Sequence, residues 1–140
     1  MATLKSDMVL GNQSFKPFPS GAVGVRYASH SITAALSAAD VIQMVDVFAG
    51  ETVHDVKMVV TDLDTNNSPA IVLDVGDGTS GNSDNYIDGS TAGQGGGNDE
   101  IDANVAPKVY SADDTIDITV QAGPGTGATT GTLQLWVYVS

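Results

Sequence analysis

The chain reads as an all-β protein: a single antiparallel β-sandwich or jelly-roll-like domain with an extended N-terminal arm and a long Gly/Asp-rich loop. Three observations carry this reading. Short stretches alternate apolar and polar residues with a period of two, and turn residues separate them without helical patterns between. Fifteen of the 17 acidic residues are Asp, which favours turns and forms helices poorly. The last eight residues, Leu-Gln-Leu-Trp-Val-Tyr-Val-Ser, form a strand that runs to Ser140.

Residues 1–20 show no clean period, and Pro17 and Pro19 forbid regular helix there, so they are read as an arm. The sandwich is expected over residues 21–140. Val23, Val25 and Tyr27 alternate with Gly24 and Arg26 in a first strand. Residues 31–39 are small and fit a short helical turn or a loop. Val41 to Phe48 and Val53 to Thr61 read as strands, the second with His54, Val56, Met58 and Val60 on one face. The tight turn Ala49-Gly50-Glu51 between them predicts an antiparallel hairpin.

Asp62 to Pro69 is turn chemistry, and Ile71, Leu73 and Val75 are in phase in the next strand. Gly76 to Gly97 holds eight of the sixteen glycines and is expected to be a long irregular loop. Val105 to Tyr110 fits a short strand. Thr115 to Val120 puts Ile116, Ile118 and Val120 inward and Asp117 outward. In the final strand Leu133, Leu135, Val137 and Val139 take the core face, which leaves Trp136 and Tyr138 on the other. Burying a Trp removes about 150–250 Å² from water, so a loop or a subunit contact is expected over Trp136.

Composition narrows the function. Between Lys57 and Lys108 there is no basic residue, and the formal charge is −12. Nucleic acid and anionic lipid both need a Lys/Arg footprint, so neither is an expected partner. No apolar run approaches the ~20 residues that span a bilayer, and the N-terminus lacks the pattern of a secretory signal. Cysteine is absent, so disulfides play no part.

No catalytic constellation is evident. His30 and His54 are the only histidines, with no nucleophile motif and no H-x-x-x-H pair. Asp62, Asp64 and Asn66 match the start of an EF-hand loop, but Asn67 stands where Gly belongs and Leu73 where Glu belongs. Gly97 to Asp102 resembles one calcium-binding β-roll repeat, but that fold needs stacked copies. Gly93 to Gly97 lacks the Lys-Ser/Thr of a phosphate loop. Asp74, Asp77, Asp84 and Asp88 among glycines are the best calcium candidates. Tight turns with Asp side chains on backbone N–H groups are the preferred reading there, so neither metal nor cofactor is expected.

Taken together, several segments carry a resemblance. Ala39 to His54 gives strand, Gly turn and strand. Leu73-Asp-Val-Gly-Asp-Gly-Thr79 runs toward Asn85-Tyr-Ile-Asp-Gly89. Tyr110 to Val120 follows, and Thr129-Thr-Gly-Thr-Leu133 enters the last strand. This order, over roughly residues 35–140, resembles small virion structural proteins of tailed bacteriophages, of the capsid decoration or cement type. The resemblance implies a non-enzymatic β-sandwich on the outside of the head. It would be assembled in the bacterial host cytoplasm, form a homotrimer and clamp the major capsid protein, with no small-molecule substrate. Lys5, Lys16, Phe15 and Phe18 in the arm, with Trp136 and Tyr138 on the last strand, are then the interface candidates. The alternative is a receptor- or carbohydrate-binding β-sandwich module of a phage fibre or tail. A jelly-roll hydrolase would need more metal-binding histidines than two.

Overall fold

A computed structural model describes residues 1–9 and 22–140. Ten strands follow in order: β1 (Thr3–Lys5), β2 (Gly24–Ile32), β3 (Val41–Val47), β4 (Thr52–Val60), β5 (Val72–Gly76), β6 (Ile87–Ser90), β7 (Gly97–Glu100), β8 (Lys108–Val109), β9 (Asp114–Ala122) and β10 (Gly131–Val139). They form two sheets. One runs β1-β3-β9-β5-β6; the other runs β2-β10-β4-β7, with β8 also on β4. Among the described residues every pairing is antiparallel except β1 on β3.

The core lies between the sheets. Ile116, Ile118 and Val120 of β9 and Leu133, Leu135, Val137 and Val139 of β10 are wholly buried, as period-two alternation requires. Ile71, Leu73 and Val75 join them. Each large aliphatic side chain so buried is worth about 1.5–3 kcal/mol.

Three expectations are corrected. The strands on either side of Gly50 do not form a hairpin: β3 sits between β1 and β9, and β4 in the opposite sheet. The turn is a corner that carries the chain across the sandwich. Gly50, with φ +88°, gives it the left-handed residue it needs. Its backbone N–H is held by the Tyr110 carbonyl, and Ala49 N–H donates to Asp113. His54 does not share the face of Val56, Met58 and Val60. Opposite it the ladder jumps from Tyr138↔Asp55 to Val139↔Val53, so Val53 turns inward instead.

The stretch from Gly76 to Gly97 is irregular only in part. It contains 3-10 turns at Thr79–Gly81 and Ala92–Gln94 and the edge strand β6. Gly76 lets the loop fold back on itself, because a Cβ there would collide with the Asn82 carbonyl oxygen and Asn85 Oδ1. The loop also lies over Asp117, which faces outward from β9 yet is only 7% exposed.

At the N-terminus, β1 extends the sheet within the predicted arm. Ala2 N–H donates to Asp40, Ser6 N–H to the Gln43 carbonyl, and Ser6 is buried. Phe15, Lys16 and Phe18 lie outside the described residues.

Candidate interaction surface

The sandwich has two outer faces of opposite character. On the β1-β3-β9-β5-β6 sheet, register places Lys5, Gln43 and Asp117 side by side, and Asp74 beside Thr119. That face is polar and acidic. On the other sheet, β10 places Trp136 beside Tyr27 and Tyr138 beside Val25. The Tyr27 and Trp136 rings pack at 4.8 Å between centroids, and Gln134 Nε2 donates to Tyr27 Oη at 2.8 Å. Val23, Val25, Tyr27 and Tyr138 are 57%, 43%, 36% and 36% exposed. Antiparallel sheets normally turn a polar outer face to water, so this apolar strip departs from the rule.

The strip exists because β2 turns Val25 and Tyr27 outward. Its inward positions carry Arg26 and Ala28, opposite Val137 and Leu135, and Ile32 at its end. Arg26 is 3% exposed and bonded between the sheets to both carboxylate oxygens of Glu51, with Nη1 also donating to the Asp46 carbonyl at 3.0 Å. Its guanidinium lies 5.3 Å from the Phe48 ring centroid. A one-residue slip would have buried Val25 and Tyr27 and freed Arg26. The register set by β10 forbids the slip.

Of the interface candidates, Trp136 and Tyr138 therefore lie on the apolar face, and Lys5 on the acidic one. Arg26, basic and close to the arm, faces the interior. In the sequence Val23, Val25 and Tyr27 fall on one side of the first strand but not among the interface candidates. Their signal was present: the alternation Val-Gly-Val-Arg-Tyr has an apolar side that no rule forces inward.

Of the four acidic candidates, three converge. Carboxylate oxygens of Asp74, Asp84 and Asp88 lie within 4.8 Å of one another. Burial pushes the Asp74 carboxyl up; Gly89 N–H opposes this, and Asp88, Asp84 and Asp102 reinforce it. One oxygen from each would supply three of the roughly six to eight that calcium takes. Asp77 points elsewhere. Its Oδ2 receives Lys108 Nζ, Tyr110 Oη at 2.9 Å and Asn85 Nδ2 at 3.2 Å, and its Oδ1 receives Thr79 N–H at 3.0 Å. Burial would raise Asp77, but these donors outweigh it and hold the carboxyl below the usual range. Tyr110 Oη also meets Tyr86 Oη at 2.5 Å, which ties the loop to β8 and β9.

Asp64, the EF-hand candidate, is a structural anchor. It is buried, and its two oxygens accept N–H bonds from Asn66, Ala70, Ile71, Gly125 and Thr126. The desolvation that would raise its pKa is outweighed by these donors, which hold it well below the carboxylate norm. Neither histidine lies in a cleft of carboxylates: His54 Nε2 is 2.7 Å from Ser140 Oγ, and His30 Nδ1 is 3.0 Å from the Lys5 carbonyl, where the edges of the two sheets meet.

No protein-family model matches the chain, and no curated protein does. Solved structures do. A chain in the capsid of Ralstonia phage GP4 is 26% identical, with a TM-score of 0.84, over 98% of this chain and 96% of that one. A chain in the capsid asymmetric unit of cyanophage Pam1 is 25% identical, with a TM-score of 0.72, over 91% and 94%. A chain in the acidic stable capsid structure of Helicobacter pylori bacteriophage KHP30 shares the fold, with a TM-score of 0.54 at 11% identity. The chain thus shares its all-β fold, over nearly its whole length, with structural constituents of phage capsids, and the fold points to a virion structural role.

Proposed function

We propose that the chain is a decoration, or cement, protein: it binds the outside of a phage head, contacts the major capsid protein and stabilises the shell, as a homotrimer. The observation that carries this reading is the end-to-end match to chains in two phage capsids. Because each match covers nearly all of both chains, the neighbours are small chains of this size and not domains cut from a larger shell protein. A sandwich this small suits a part added to a lattice. The unpartnered apolar strip supports the reading, because an exposed patch of that kind marks a contact surface.

The test uses empty heads assembled from the shell protein of the same phage, without this chain. Added protein should sediment with the heads at a fixed ratio and raise their disruption temperature. Heads that take up none of it would end the decoration reading. The fibre or tail alternative has one observation in its favour, the outward trio Tyr27, Trp136 and Tyr138, of which the two tyrosines are exposed and the tryptophan half-buried; binding on a glycan array would move the assignment there.

A further inference from the structure

We infer that the chain seats on the shell through the outer face of the β2-β10-β4-β7 sheet, and that the acidic face of the other sheet looks to solvent. The inference rests on the virion reading above and adds which face docks and the chemistry of the surface it meets.

The two outer faces make the choice. Val25, Tyr27, Gln134, Trp136 and Tyr138 form a strip on β2 and β10 whose outward side chains carry no charge, in a chain of net charge −12. The nearest charges lie along one flank. Among the described residues, Asp55 sits beside Tyr138, Lys57 directly beside Trp136, and Glu100 beside Lys57; both acids are exposed and the lysine is half-buried, so the flank carries two acids against one cation. The complementary surface is an apolar, uncharged patch with Lys or Arg side chains along one side. A second copy of the chain fits this strip less well, because it would bring the same two acids, Asp55 and Glu100, to it. Lys5 lies on the opposite face, so its single charge would stay outside the contact.

The threading of β2 from Val25 to Tyr27 supports this choice. Displaying Val25 and Tyr27 forces Arg26 into the interior, where its charge must be matched by Glu51. Ala28 and Ile32 of the same strand do face the core, so only the segment around Arg26 departs from what a monomeric sandwich requires.

The experiment compares binding to those same empty heads. The double variant Val25→Glu with Tyr138→Glu places charge on the strip at two exposed positions. Thr3→Glu with Lys5→Glu does the same on the opposite face. All proteins are first checked for an unchanged melting transition and for mass in solution by light scattering. The strip variant should bind about tenfold more weakly or worse, and the opposite-face variant like wild type. Asp55→Lys with Glu100→Lys should also weaken binding, and added salt should weaken wild-type binding.

If wild type does not bind heads, the decoration reading itself fails. If wild type binds and the strip variant binds equally, that reading stands and the docking face is wrong. If only the opposite-face variant loses binding, the orientation is reversed. If the strip variant falls to a lower mass than wild type, the strip joins copies of the chain and the shell is not its occupant. If reversing the flank tightens binding, the partner's flank is acidic and the stated chemistry is overturned.

Discussion

Arg26 and Glu51 show how one residue's placement constrains the molecule. An arginine inside a sandwich is tolerable only if its charge is matched and its N–H groups are bonded. Glu51 supplies two oxygens and also accepts the Phe48 N–H at 2.6 Å, so it holds both the guanidinium and the corner between β3 and β4. Glu51→Gln would leave the guanidinium without that charge. Loss of one partner from a buried pair costs about 3–5 kcal/mol, and the lower end applies because the Glu51 side chain is 20% exposed. Urea denaturation of the variant should show a lower midpoint with an unchanged slope. A shift below about 0.5 kcal/mol, the size of an exposed pair, would mean that the interior charge is matched by other groups.

Among the elements, the loop from Gly76 to Asn85 is the one whose local chemistry most exceeds what its composition suggests. Its close approach at Gly76 leaves no room for a methyl group, and the colliding atoms include backbone. Gly76→Ala should therefore destabilise by about 1–3 kcal/mol, the usual cost of forcing an atom into a packed site. Hydrogen exchange should show the loss spreading to β5 and to Tyr110, which the loop reaches through Asp77. The same loop shows what could be read from sequence and what could not. β9 and β10 were legible because Ile116, Ile118 and Val120 in one, and Leu133, Leu135, Val137 and Val139 in the other, recur on one face. β2 was half legible: its alternation is clear, but period two does not say which side faces in, and here the ladder with β10 decides. The Gly50 corner was misread because a tight turn fits a hairpin and a crossover equally. What separates them is that Val41 pairs with Thr119, 78 positions away (119 − 41), which no local pattern encodes. Asp77 could not be separated from Asp74, Asp84 and Asp88 by spacing alone. Its partner Lys108 lies 31 residues on, and the lysine, not the aspartate, sets its role.

For the whole molecule, the excess of acid makes stability depend on pH in a direction that can be worked out. Asp117 is pushed up to about 7 by burial, opposed by the Thr115 hydroxyl and reinforced by Asp114 and Asp77. An acid raised in the folded state binds its proton more tightly folded than unfolded. Its effect is therefore a loss of stability as pH rises from the unfolded value of 3.8 through about 7. Burial of Asp46 and Asp74 acts in the same direction. Asp64 and Asp77 are held low, so their contribution is present above 3.8 and is lost as pH falls below it. Relief of the general repulsion in a chain of net −12 adds to the first group. The sum places maximum stability on the mildly acidic side, between 3.8 and about 7, with a decline toward pH 8 and a steeper one below 3.8. Melting temperatures measured from pH 3 to pH 9 should trace that dome. Asp117→Asn should raise the melting temperature at pH 8 and leave it nearly unchanged at pH 5, because the wild-type carboxyl is already neutral there. An equal shift at both values would assign the effect to packing and remove Asp117 as the group that titrates. The loop over Asp117 touches the face proposed to look to solvent, so the same titration should leave head binding unaltered between pH 6 and pH 8 at fixed salt.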